Sequence, residues 1–175
     1  MKPRIDYRKT APGGISALSA LESYVRMSGL EPALLELVKL RASQINGCAY
    51  CIDMHTKDAR AEGESEQRLY AVGAWRETPF FTERERAALS WTEAVTQVNQ
   101  EHVSEEVYGD AHQHFSDKEL VDLTLAIIAI NGWNRLAISF RSVAGTYRRE
   151  ALRRTATTVS RESESRDGKG VNRGQ

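Results

Sequence analysis

Apolar residues recur every three or four positions along most of this chain, and no stretch alternates apolar with polar residues long enough to make a strand. That periodicity restricts the fold to helices packed on helices, an all-α class. Ile15, Leu18, Leu21 and Val25 form one stripe, stopped at Gly29. Pro32 can occupy a first helical turn, and Leu34, Leu37, Val38, Arg41, Ala42 and Ile45 mark a second helix that ends at Asn46-Gly47. A third runs from near Cys48 to about Ala61, and Ser65 offers an N-cap for a short fourth, closed by Pro79. Thr82 with Glu85 and Ser116 with Glu119 each have capping-box spacing. Behind the first lies the Ala88, Trp91, Ala94, Val95, Val98 stripe; behind the second, Leu120 to Ile130 is apolar nearly all round, the pattern of a central helix. Asn131-Gly132 is expected to interrupt that helix, with Trp133 to about Leu152 continuing as another helix or after a kink.

A length of 175 residues fits one domain with a real core, placed at 1–152. Residues 153–175 are rich in Ser, Arg, Glu and Gly, with two Val as the only bulky aliphatic residues, and read as a disordered tail. The 24 basic and 24 acidic residues cancel, so no global field points to nucleic acid or a membrane surface. MKPRIDYRKT is followed by no apolar segment, which argues against a secretory signal. The longest apolar run, interrupted by Asp122 and Thr124, falls short of the roughly 20 residues of a membrane helix. A cytoplasmic protein is expected.

Both cysteines lie in GCAYCIDMH, Gly47 to His55. In a reducing compartment two cysteines three positions apart make a poor permanent staple. Structural zinc needs four ligands, and Cys48, Cys51 and His55 supply three with no second cysteine pair. Covalent haem attachment needs histidine directly after the second cysteine, where this chain has Ile52. No metal and no cofactor are expected, and redox chemistry uses every feature that is present. At a helix start Cys48 would meet unpaired N–H groups that favour thiolate. Cys51 follows one turn later and His55 four residues after that, on the same face, where an imidazole can move the Cys51 proton. The dipole thus favours Cys48 as the acidic thiol, while the histidine spacing favours Cys51.

Glu36 lies inside Leu34-Leu35-Glu36-Leu37-Val38, where an acid is costly to bury without a partner. It stands roughly 15 Å before Gly47 along one helix and His55 roughly 12 Å after it along the next, so a reversal at Asn46-Gly47 brings the two to similar depth. A carboxylate there would orient His55 and raise its basicity.

The spacing of Glu36, Cys48, Cys51 and His55 resembles the active-site signature of the alkylhydroperoxidase AhpD-like proteins of the carboxymuconolactone decarboxylase superfamily, as do NGCAYCIDMH and INGWNRLAISFR. The resemblance implies a bundle of about seven to eight helices, assembly into trimers or hexamers, and thiol-dependent reduction of a peroxide at the expense of a dithiol or protein electron donor. It also implies that Cys51 becomes the sulfenic acid, Cys48 resolves it, and His55 and Glu36 relay protons. The best-known pattern in that family has a second histidine just before the second cysteine, a place held here by Tyr50. A phenol of pKa near 10 donates a hydrogen bond but is a poor base at neutral pH. Two other readings are a cofactor-free decarboxylase or lactone-processing enzyme of the same superfamily, for which a second sulfur has no use, and a non-enzymatic thiol redox sensor. His112 and His114, two apart on a short amphipathic helix, point away from each other, and His102 reads as a loop residue. Among Trp75, Trp91 and Trp133, candidates to line a pocket, Trp91 fits the core stripe. Asn134 and Arg135 read as satisfying backbone carbonyls or a subunit contact.

Overall fold

The computed structural model describes residues 2–149, so the sequence-predicted tail lies outside the described residues. Among these, eight α-helices and one 3-10 segment make up the regular structure, without strands. They are α1 (Tyr7–Thr10), α2 (Pro12–Arg26), α3 (Pro32–Ile45), α4 (Ala49–Ala61), α5 (Glu66–Ala71), the 3-10 segment Val72–Glu77, α6 (Glu83–Thr96), α7 (Glu105–His114) and α8 (Asp117–Ser139). The all-α expectation and its helix number hold. Pro12 and Pro32 sit in first turns, Ser65 caps α5, and both capping boxes close as their spacing predicts. Helix α1 was not anticipated; its signal is Asp6, whose carboxylate accepts the backbone N–H groups of Arg8 and Lys9.

The central helix is α3, not α8. Every residue from Leu34 to Leu40 is buried, and α3 packs against α4, α6 and α8. Fully buried Leu37, Val38 and Leu40 contribute about 1.5–3 kcal/mol each through the area they remove from water. Helix α8 buries one face on α2, α3 and α6 but leaves Val121, Ile128 and Ile138 at 59%, 50% and 46% exposure. It is long and apolar enough to cross a membrane by length and composition, yet buried Asp122, Asn131 and Asn134 and its packing mark a bundle helix. Asn131-Gly132 does not interrupt it. The Asn131 side chain donates back to the Ile127 carbonyl, and a Cβ at Gly132 would lie 3.4 Å from Leu18, so the pair serves helix packing. The helix ends at Ser139, and Arg141 turns the chain at φ 57° rather than carrying helix toward Leu152.

Two features place the site. Gly47, at φ 67°, takes the left-handed conformation that lets α3 reverse into α4 within three residues. Residues 4–8 and 143–149 then fold over α8 and α4. Arg4 donates its backbone N–H to the Phe140 carbonyl at 3.0 Å, and the Tyr7 ring lies 5.7 Å from that of Phe140. From the other side, residues 143–149 return across α4, where Gly145 N–H meets Asp53 at 3.0 Å and Arg149 meets Glu62 at 2.9 Å.

Candidate active site

Glu36 comes from α3, and Cys51 and His55 share a face of α4 with Asp58, at i, i+4 and i+7. Cys48 is the N-cap of α4, its own N–H bonded to the Ser43 carbonyl at 2.9 Å. All four sequence-predicted site residues are buried, and the fold brings them together in two contacts. The cysteine sulfurs lie 2.8 Å apart as free thiols, and His55 Nδ1 lies 2.8 Å from Glu36 Oε2.

Glu36 resists burial less than its position implies. Burial raises its carboxyl, but the His55 hydrogen bond and then the charges of His55, Lys39 and Arg26 outweigh that and hold it below its ordinary value. An ionised carboxylate only accepts, so His55 Nδ1–H donates to it. This tautomer leaves Nε2 as the basic nitrogen. Nε2 is buried and has no hydrogen-bond partner among the described residues.

The two thiols titrate as a pair. The bond from the Cys51 thiol, against burial and with help from the N–H groups of Cys51 and Tyr50 and from the Asn134 amide, pulls Cys48 down to about 7. Sharing its proton with Cys48, and then burial, pushes Cys51 up. Cys48 is the acidic thiol, as the helix start suggests, but the Cys51 thiol does more than the helix N–H groups to make it so. Cys51 and His55 nonetheless line the cavity, and Cys48 does not. The acidic sulfur lies behind the substrate-facing one. An expected result is that thiolate ultraviolet absorbance of the reduced protein rises through about pH 7, and that Cys48→Ser removes this step; a first midpoint near the ordinary thiol value of 9.0 would contradict it.

Asn134 is the site residue that sequence reasoning missed. Fully buried on α8, it donates to Ser43 Oγ at 3.1 Å, accepts from Asn46 at 2.9 Å, and turns its amide toward both sulfurs. The signal was a polar residue in an apolar helix whose burial demands partners. Its neighbour Arg135 serves the Asn131 carbonyl, as expected. Trp133 lines the cavity, whereas Trp91 and Trp75 are core residues bonded to Thr124 and Glu93. His112 pairs with Asp117 at an exposed position, and His102 lies in an exposed loop.

The cavity measures about 450 Å³. Tyr50, Met54, Trp133 and Ala137 make much of its wall, the segments that fold over α8 and α4 add Tyr7, Arg8 and Tyr147, and Glu22, Arg26 and Asp58 supply charge. Burial and the phenol of Tyr7, against Arg8, raise Tyr50, which stays a neutral donor and no substitute base. Burial and the Asp58 bond push Tyr147 up to about 12, with its hydroxyl 2.9 Å from the Asp58 carboxylate. Ligand atoms of Glu36, His55 and Asp58 lie within 4.8 Å of one another, close enough to share a cation. Lys39 at 3.9 Å from Glu36 and Arg149 at 3.8 Å from Asp58 already balance both carboxylates, so the set fits a metal poorly.

Residues 15–94 match the carboxymuconolactone decarboxylase family, a segment that holds Glu36, Cys48, Cys51 and His55. An uncharacterized Bacillus subtilis protein, YdfG, is 41% identical over 146 residues, covering 83% of this chain and 99% of that protein. The crystal structure of an Agrobacterium tumefaciens protein of unknown function, ATU0492, proposed to be the antioxidant defence protein AhpD, superposes with a TM-score of 0.81 at 48% identity over 83% of this chain and 100% of that one. Alkyl hydroperoxide reductase AhpD of Acidobacterium capsulatum is 43% identical over 48 residues, 27% of this chain and 26% of that protein. Similarity that spans whole relatives as well as both helices of the site reflects common descent, and this chain belongs to the carboxymuconolactone decarboxylase family.

Proposed function

We infer that the protein is a thiol-dependent peroxidase of antioxidant role, carried by one observation: two free sulfurs 2.8 Å apart, one of them facing a cavity beside a histidine oriented by a buried carboxylate. His55 Nε2 takes one proton from the thiol pair, and when the remaining proton passes along the 2.8 Å contact from Cys51 to the more acidic Cys48, the Cys51 thiolate so formed attacks the outer peroxide oxygen; the O–O bond breaks, Cys51 becomes a sulfenic acid, and the departing alkoxide takes the proton held on His55. Cys48 then attacks the Cys51 sulfur, an S–S bond forms, and the hydroxyl leaves as water. The sum is two thiols and one hydroperoxide giving a disulfide, an alcohol and water. A dithiol or protein donor in the reducing cytoplasm returns the pair to thiols.

Glu36 keeps the Nδ1–H tautomer and steadies the imidazolium formed when His55 holds the proton. Tyr50 stands where the best-known pattern of the family has a second base, so His55 serves alone. Assembly as a homo-oligomer, trimer or hexamer, is part of the same reading, supported by the apolar residues that α8 leaves exposed.

One equivalent of hydroperoxide added to the reduced protein is expected to give a species two hydrogens lighter, with Cys48 joined to Cys51 in the peptide map. A product that keeps both thiols, or carries oxygen on Cys51 without going on to disulfide, would overturn the two-cysteine cycle.

A further inference from the structure

The charged groups around the cavity are spoken for, with one exception. Glu22 pairs with Lys39 and with Arg26, and Asp58 takes the Tyr147 hydroxyl and lies beside Arg149. Arg8 lines the same cavity, and among the described residues its guanidinium meets no carboxylate and makes no hydrogen bond. It lies instead over two aromatic faces, 5.2 Å from the Trp133 ring centroid and 5.8 Å from that of Tyr7. A guanidinium held over ring faces by its charge keeps its five N–H donors free to bind something else. The rings thus orient Arg8 without consuming its donors, the arrangement that recognises a planar, two-oxygen anion.

Cavity size points the same way. A molecule little larger than water, whose share of liquid volume is about 30 Å³, would occupy a small part of 450 Å³. The wall of Tyr50, Met54, Trp133 and Ala137 fits an apolar body between the Cys51–His55 end and Arg8. We propose that the peroxide substrate is an organic hydroperoxide bearing a carboxylate, with the hydroperoxide at Cys51, the hydrocarbon against the aromatic wall and the carboxylate on the Arg8 edge. This substrate class rests on the peroxidase reading above, while the Arg8 anion subsite stands on the cavity alone.

The test separates the two. Steady-state consumption of cumene hydroperoxide and of its para-carboxylate is compared in wild type and Arg8→Gln. In wild type kcat/KM is expected to favour the carboxylate by about tenfold, the usual worth of one charge-assisted contact, and in Arg8→Gln the ratio is expected to fall close to one. A wild-type ratio near one, or a preference that survives Arg8→Gln, overturns the proposal. If wild type consumes neither compound, the peroxidase reading fails by itself, and calorimetry with the unreactive pair 4-isopropylbenzoate and 4-isopropylbenzamide decides the subsite. Tighter binding of the benzoate, lost in Arg8→Gln, supports it; equal affinity, or binding of neither, overturns it.

Discussion

Cys51→Ser is expected to reduce hydroperoxide consumption by about a thousandfold or more, down to the reaction of peroxide with the dithiol reductant alone. The size follows from position: Cys51 is the sulfur at the cavity, and no other thiol can take its place on that wall. Cys48→Ser is expected to act differently. It loses the resolving sulfur and the proton store behind Cys51, so one sulfenic acid forms per chain, turnover stops, and Cys51 can be trapped by a sulfenic-acid reagent. The electrostatics sharpen this comparison, because the lower pKa belongs to Cys48 and the access belongs to Cys51. A single turnover kept by Cys51→Ser and lost by Cys48→Ser would exchange the two roles. Acidity would then have outweighed access.

Lys39→Met is expected to cost about 3–5 kcal/mol of stability, the usual loss when one partner leaves a buried charge cluster, and to lower Tm by roughly 10 °C. The ammonium is 1% exposed, bonded to Glu22 and 3.9 Å from Glu36. Its removal takes the buried ammonium from two carboxylates, leaving Glu22 to Arg26 and Glu36 to His55. In the wild type Glu36 has a folded pKa below its reference of 4.5, so the folded state binds fewer protons than the unfolded one as pH falls through that range, and its contribution to stability, present at neutral pH, is lost there. In Lys39→Met the same carboxyl moves up and is protonated sooner. The stability gap between the two proteins should therefore be widest near neutrality and narrow as the solution is acidified. A gap that stays constant from pH 7 to pH 4 would assign Lys39 to packing alone.

Lys39 also shows how far the sequence could be read. Glu36 was legible because an acid inside a leucine run invites a partner, and the count of residues to Gly47 and on to His55 set both at one depth. Lys39 escaped notice because a lysine at the edge of such a run normally reaches water; it is buried here by α2, which approaches from elsewhere in the chain and brings Glu22. The same holds for α8. Its all-round apolar composition resembles a central helix, but composition does not say which elements arrive to cover it, and α3 took the centre. Helix starts were read well, since capping is local and Thr82, Ser116 and Ser65 carry it within three residues. Asn131-Gly132 misled for the opposite reason: a dipeptide that breaks an isolated helix is held helical by packing against Leu18. Arg8 and Tyr147 were invisible as cavity residues because each depends on a segment outside the main helices, residues 4–8 or 143–149, folding back over the bundle.

The reversal at Gly47 makes helix length a ruler. Deleting one residue between Glu36 and Gly47 would shift Glu36 by about 1.5 Å along α3 and rotate it by about 100°, taking the carboxylate off His55 while leaving both helices intact in composition. Drift in this lineage should therefore change length first in the exposed connection from α6 to α7, at residues 98–102, which lines neither the cavity nor the core. Between Glu36 and His55 it should tolerate exchanges of residue but no gain or loss.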